Sequence, residues 1–370
     1  MQSMKLIAIL AMFSSIGVFA QSISLTVESK ILGEERQILI ALPDSYEYDE
    51  QDSKYPLVLL TDGEWHFDLV VEATKLLYQD GYPKIIVAAI MNNDRGKDLT
   101  PSHTSEFEYS GNANNFYMFI TEELLVDLER KYRISNHRTL LGHSLGGLFA
   151  AYAMVQDSGA FDAFVAVTPT IRWDNFKILD DFTPKIEEKL AESKPSFFLG
   201  IGNETGAERE GVVRLKKVME TIHLPEFSYR EYPMDSHVTV PWKAYFDGLR
   251  FVFHSFLIPV EYENIDFSNT IAYYDEVGTR FDYDKRVPQR ILFNWGFSKI
   301  GDADKTEALK IFEYYKKAYP NVPIPYRTLG DINFELKKYK IAKENYEMAY
   351  NLFPNPYVQG RIKTLEELLD

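Results

Sequence analysis

Gly142-His143-Ser144-Leu145-Gly146 is a G-x-S-x-G string, with the short apolar run Thr139–Leu141 before it and a helix-like stretch, Gly146–Gln156, after it. Glycines two residues either side of a serine suit a backbone turn so sharp that side chains there would collide. Such a turn lifts the serine hydroxyl above a sheet, at the start of the following helix. The free N–H groups and positive dipole of that helix end favour a developing anion. A serine hydroxyl is a weak nucleophile at neutral pH and needs a base, itself oriented by a third group.

Chain order supplies candidates for both. Where strand, elbow and helix follow one another, the order is serine, acid, histidine, with the histidine on a loop beyond the last strand. Of the seven histidines, His237 meets that condition, after the run Phe227–Tyr232 and before a helix. His66, His103, His137 and His143 precede the serine, and His143 is expected to pack beneath the elbow. His223 and His254 fall in or beside helices. The acid should follow the run Ser196–Ile201, where the loop 202–210 offers Glu204, Glu208 and Glu210. Glu204 lies nearest the strand end and is preferred; Glu208 is the alternative, and Glu210 suits a helix start. The N–H of Leu145 and one from Asp62-Gly63-Glu64-Trp65 should bind an oxyanion, with Glu64 preferred over Trp65. No H-E-x-x-H spacing occurs, so no metal is expected. The run Gly200–Gly206 mimics a dinucleotide fingerprint with one residue too many and comes late in the sheet, so no cofactor is expected.

The elements that must hold these residues alternate. Two β-rich runs, Ile23–Glu28 and Gln37–Ala41, flank a turn at Leu32-Gly33-Glu34 and read as an edge hairpin. Strand-like runs then follow at Tyr55–Leu60, Lys84–Ile90, Thr139–Leu141, Ala163–Val167, Ser196–Ile201 and Phe227–Tyr232. Between them lie helical patterns at His66–Gln79, Asn114–Tyr132, Gly146–Gln156, Pro184–Ser193, Glu210–Ile222 and Val240–Phe256. Short apolar runs alternating with helices imply a mostly parallel sheet covered on both faces.

The 370 residues are more than one compact domain usually needs. Residues 1–20 carry Lys5, an apolar run and a Val18-Phe19-Ala20 ending. They read as an export signal, too short to span a bilayer. Residues 21–257 hold the alternating pattern, 258–287 read as a linker or helical connection, and 288–370 are helical throughout. Pairs 34 residues apart align Gly296 with Gly330, Ala308 with Ala342, Phe312 with Tyr346 and Pro320 with Pro354, which is the tetratricopeptide period. Forty Lys and Arg against 55 Asp and Glu give a net charge of −15. That balance excludes a nucleic-acid binder and disfavours docking on anionic lipid. With no cysteine, thiolate nucleophiles, disulfides and Cys-held metals are excluded.

Residues 21 to about 257 resemble the esterase D family of α/β-hydrolases, which includes S-formylglutathione hydrolases and enterochelin esterases. The similarity rests on Leu59–Glu64, Arg95–Pro101, Ser110-Gly111, Gly142–Gly147, Thr168-Pro169-Thr170 with Trp173, and Ser236-His237. The resemblance implies an α/β-hydrolase fold, and the 34-residue spacing adds an all-α tetratricopeptide-like unit after it. The resemblance also implies an exported serine esterase with Ser144 as nucleophile and His237 as base, the acid varying in type and position. Arg95 lies beyond a strand's carboxyl end and is either a substrate contact or the partner of Asp98 in a loop ion pair. The expected partner is a small-molecule ester, of glycan or siderophore type, with no nucleic acid and no membrane span after signal removal. The helical unit offers a surface for protein contact or self-association. An acyltransferase with the same triad, or an interaction protein with an inactive hydrolase unit, are the competing readings.

Overall fold

The protein is described by a computed structural model covering residues 22–105, 107–156, 159–180, 195–258, 267–302 and 304–370. The expected export signal and the helix expected at 184–193 lie outside these residues. Eight strands form one sheet: β1 (Ile23–Ser29), β2 (Glu34–Ala41), β3 (Tyr55–Leu60), β4 (Ile86–Ile90), β5 (Ile134–His143), β6 (Ala163–Val167), β7 (Ser196–Ile201) and β8 (Phe227–Glu231). Their order is β1-β2-β4-β3-β5-β6-β7-β8. β2 runs antiparallel to both β1 and β4, and the remaining pairs are parallel. Each of the eight strands overlaps a run expected from sequence, β5 extending well beyond the expected Thr139–Leu141, and the hairpin occupies the edge as expected. β3, β4, β6 and β7 are buried at every position, because both sheet faces are covered and no position can be polar at no cost.

The side chains of β3 alternate between the two cores, as a pleated strand requires. Leu57 and Leu59 face one core, built with Phe116, Leu148, Phe149 and Leu215. These come from α2 (Ala113–Met118), α4 (Leu145–Gln156) and α5 (Gly206–Thr221). Val58 and Leu60 face the other, with Phe67, Val70, Leu249 and Phe281. Those come from α1 (Gly63–Gln79), α6 (Pro241–Val252) and α7 (Phe267–Phe281). The helix expected as one piece over 114–132 is interrupted. Between α2 and α3 (Leu125–Lys131), Phe119–Leu124 widens into a π-helix. Glu123 in that segment accepts hydrogen bonds from Ser29 Oγ at 2.5 Å and from the N–H groups of Lys30 and Ile31 at 3.0 and 3.3 Å. It thereby pins the edge hairpin to the body.

Beyond α7 the extension is all helical: α8 (Gln289–Gly301), α9 (Lys305–Ala318), α10 (Pro323–Glu335), α11 (Tyr339–Leu352) and α12 (Pro356–Leu369). The 34-residue equivalence has a physical counterpart. A Cβ on Gly296 would lie 2.7 Å from the Phe312 ring, and one on Gly330 would lie 2.7 Å from Tyr346. Each first helix is therefore seated against an aromatic of its second. Among the described residues no helix is long and apolar enough to cross a membrane.

The connection expected over 258–287 contains α7, and α7 belongs to both units. Its first turns place Phe267 and Tyr274 in the helical core, where the Phe267 ring sits 5.8 Å from Trp295 and 5.3 Å from Tyr314. Its last turns place Val277 and Phe281 in the core of the sheet unit, where the Phe281 ring lies 4.4 Å from His137 and 4.7 Å from Phe256. Just beyond, Tyr283 Oη accepts from Lys84 N at 3.1 Å, and Lys54 reaches Asp282 at 2.8 Å. The helical extension is thus anchored by a shared helix rather than tethered. Because Phe281 is fully buried, Phe281→Ala should cost about 3–5 kcal/mol through lost burial and the cavity left behind. Chemical denaturation should show the sheet unit melting earlier; an unchanged midpoint would show that the seam carries no stability.

Candidate active site

β3 and β5 lie side by side at the centre of the sheet, with Leu60 opposite Leu141. The chain leaves β3 toward one edge and β5 toward the other. Ligands in such sheets bind outside the strand carboxyl ends at the point of reversal.

Ser144 occupies that point with φ at +58°, a left-handed conformation that an L-residue adopts only when its surroundings force it. The surroundings are explicit. A Cβ on Gly142 would stand 2.0 Å from the carbonyl oxygen of Gly146, and one on Gly146 would stand 2.2 Å from Thr61 Oγ1. Ser144 N–H donates to Val167 O at 3.0 Å, and its carbonyl accepts from Thr170 N at 3.1 Å and Leu148 N at 2.9 Å. The hydroxyl stands 3.3 Å from Thr170 Oγ1. The elbow expected from the motif is therefore built, with α4 starting at Leu145.

His237 and Glu204 arrive on the loops after β8 and β7. The two loops are stitched together by Asn203 N donating to Asp235 O at 2.8 Å and Tyr232 N to Ile201 O at 2.8 Å. Gly202 permits this approach, since a Cβ there would lie 2.7 Å from Asp235 O. His237 Nδ1 meets Glu204 Oε1 at 3.1 Å. The Glu204 side chain is 6% exposed against 41% for His237. Burial pushes the Glu204 carboxyl up, but hydrogen bonds from His237, its own backbone N–H and Thr168 outweigh burial and hold it below the usual glutamate value. Glu208 pairs with Arg172 and Glu210 with Arg214, so the choice that chain order left open falls geometrically on Glu204.

The remaining candidates are placed as follows. Leu145 and Glu64 each lie in the first turn of a helix, α4 and α1, where N–H groups lack intrahelical acceptors. Trp65 N–H donates to Asp62 O at 3.1 Å and is already used. Arg95 does not pair with Asp98. Its Nε donates to Asp62 Oδ1 at 2.5 Å and its guanidinium also donates to His143 O at 3.1 Å. Asp98 pairs instead with Arg36 at 2.7 Å, both side chains 1% exposed. The loop ion pair considered from sequence is thus replaced by one across the β3 turn, because Asp62 projects toward Arg95 while the Asp98 side chain is buried toward β2.

A cleft of about 780 Å³ holds Ser144 and His237 together with Trp65, His66, Leu69, Arg95, His143, Val238 and Trp242. His143 therefore lines the cleft rather than packing beneath the elbow, its ring 4.6 Å from His237. Chiefly burial, then the neighbouring His237, His66 and Arg95, push it down to about 3. His66, which chain order discarded as a base, borders the same cleft 5.4 Å from His143 and 5.5 Å from Tyr245. Trp242 and Val238 carried no signal of a role in the sequence beyond proximity to His237, and Thr170 was marked only as part of the Thr168-Pro169-Thr170 similarity. Among the described residues no group of His, Asp and Glu is arranged to hold a metal ion.

Residues 29–199 match the family model described as a putative esterase. A curated relative, the ferri-bacillibactin esterase BesA of Bacillus subtilis, is 29% identical over 147 residues, which is 34% of this chain and 51% of that one. The chain thus spans about half the length of that relative. A solved IroE-like serine hydrolase from Shewanella oneidensis superposes with a TM-score of 0.68 at 24% identity, covering 80% of this chain and 99% of that one. An uncharacterised protein from Capnocytophaga ochracea gives 0.67 at 17% identity, covering 94% of this chain and 100% of that one. At these identities the structural matches speak for the fold, and the second extends into the helical extension. By fold, the unit built on the eight-stranded sheet is an α/β-hydrolase core, and over residues 29–199 its sequence is similar to the putative-esterase family.

Two stability measurements follow from the geometry. Ser144→Gly should raise stability by about 1 kcal/mol in chemical denaturation, since only glycine relaxes at φ +58°, whereas Ser144→Ala should not. Equal midpoints for the two would show that the elbow stores no strain. The folded carboxyl of Glu204 lies below the unfolded value of 4.5. Its stabilisation is therefore complete above that value and is lost as pH falls through the lower, folded one. Glu204→Gln should make stability less sensitive to acid below about pH 4.5; an unchanged acid limb would show that this carboxylate is not held by its hydrogen bonds.

Proposed function

We propose that the protein is an exported serine esterase that cleaves a small-molecule carboxylic ester through an acyl-enzyme. The observation that carries this reading is the pairing of His237 Nδ1 with buried Glu204, in the same cleft as a serine fixed at φ +58° on its elbow. Ser144 Oγ attacks the ester carbonyl while His237 Nε2 takes its proton. Glu204 holds the imidazole by Nδ1 and stabilises the imidazolium that forms, remaining a carboxylate throughout. The Leu145 and Glu64 N–H groups, each at a helix start, receive the oxyanion where its charge develops. His237 returns the proton to the leaving alcohol, and water attacks the acyl group by the same route in reverse.

The relative's description as a ferri-bacillibactin esterase supports a siderophore-type ester as the substrate class. Export rests on the apolar segment at 1–20. The 34-residue spacing and the matched Gly296–Phe312 and Gly330–Tyr346 contacts support a tetratricopeptide-like character for the extension, which serves protein contact or self-association. Arg95, already held by Asp62, borders the substrate and keeps the β3 turn in place.

Ser144→Ala and His237→Ala should each reduce kcat on 4-nitrophenyl acetate by about 10⁴- to 10⁶-fold, and Glu204→Ala by less. Glu208→Ala should leave the rate near wild type. Wild-type turnover by Ser144→Ala would end the esterase reading. A larger loss in Glu208→Ala than in Glu204→Ala would move the acid.

A further inference from the structure

Two tryptophans border the cleft, and both are largely exposed: Trp65 at 62% and Trp242 at 69%. Large aromatic side chains left open to water in a concave site are unusual, since burying an indole is strongly favourable. Trp65 follows Glu64 in the first turn of α1, and Trp242 lies five residues beyond His237 at the start of α6. They therefore approach the reacting centre from the oxyanion side and from the proton-donor side. Trp65 is not a loose side chain: the Arg95 guanidinium sits 5.4 Å from its ring centroid, itself tied to Asp62 and to His143 O. Leu69 and Val238 continue the apolar wall, the latter 78% exposed.

Counted with their ion-pair partners, the charges at the same opening sum to a net negative one. Asp68 and Glu72 project from α1 into the cleft lining. Glu72 is shared with Lys75 at 2.7 Å. Arg95, the cation lining the cleft, is matched by Asp62. His66 and His143 stay uncharged because burial lowers both. The whole chain adds a net −15. A ligand bearing several negative charges is opposed at the cleft mouth, most strongly at low ionic strength.

We infer that Trp65 and Trp242 form a stacking subsite that selects an ester carrying a flat, uncharged ring next to the scissile group, and that Asp68 and Glu72 reject anionic counterparts. This rests on the esterase reading above and narrows its substrate class. Stacking on an indole distinguishes a planar ring from a puckered one of equal size, and the difference is about 3- to 10-fold in favourable cases.

The test compares benzyl acetate with cyclohexylmethyl acetate, whose leaving alcohols are of similar acidity, by acid release in a pH-stat. Wild-type kcat/KM should favour benzyl acetate by about 3- to 10-fold. Trp65→Ala and Trp242→Ala should each shrink that ratio, the double variant should bring it to unity, and the two Trp→Phe variants should retain part of it. A wild-type ratio of unity, or a ratio that survives the double substitution, overturns the stacking subsite. 4-Carboxybenzyl acetate should be cleaved several-fold more slowly than benzyl acetate at low salt. The gap should narrow with added salt and in Asp68→Asn with Glu72→Gln. Equal or faster cleavage of the carboxylate at low salt overturns the charge selection. Wild-type failure on 4-nitrophenyl acetate would instead remove the esterase reading itself.

Discussion

The close approach of Gly142 to Gly146 is the contact on which the rest of the site depends. It leaves no room for a Cβ on Gly142, as Thr61 leaves none on Gly146, and the turn between them holds Ser144 in the left-handed region. The same turn locks three strand ends together. Gly146 lies against Thr61 beyond β3, while Ser144 bonds to Val167 of β6 and to Thr170 just after it. With the elbow fixed, α4 must start at Leu145 and α1 at Gly63, and both helix starts face the carboxyl edge of the sheet. The strain at one residue is tolerated because the interlocking of β3, β5 and β6 over-determines it.

The opposite wall of the site is made by a second close approach, of the loops after β7 and β8. Gly202 lets Asn203 bond to Asp235, and this brings buried Glu204 to His237. Burial alone would favour a protonated Glu204; the hydrogen bonds it accepts reverse that and keep the carboxylate charged. A cation formed on His237 in the proposed mechanism would meet a matched anion already in place.

Placement that depends on chain order or on turn sterics was legible without coordinates. The elbow at Ser144 was marked by its flanking glycines, the loop position of His237 by its place after the last strand, and all eight strands by short apolar runs. Glu204 could be separated from Glu208 only in three dimensions, because the direction of a carboxylate within a loop depends on the loop's turns. The ion pair of Arg95 was hidden for the same reason: Asp98, the alternative weighed, is near in sequence, but Asp62 is near in space. The π-helical interruption at Phe119–Leu124 left no periodicity signal, since one widened turn shifts the apolar stripe only slightly. The sharing of α7 between two cores was also invisible, as both halves carry the same amphipathic pattern. That sharing makes the extension part of the hydrolase's support along the side remote from the elbow loops.

The central claim is that Ser144 is the activated nucleophile. Incubation with a fluorophosphonate, followed by proteolysis and mass spectrometry of the peptides, reads this directly. The account predicts one equivalent of adduct, located on Ser144, with ester hydrolysis lost in proportion to labelling. Adduct formation at another serine, or full inhibition with Ser144 unmodified, would contradict it.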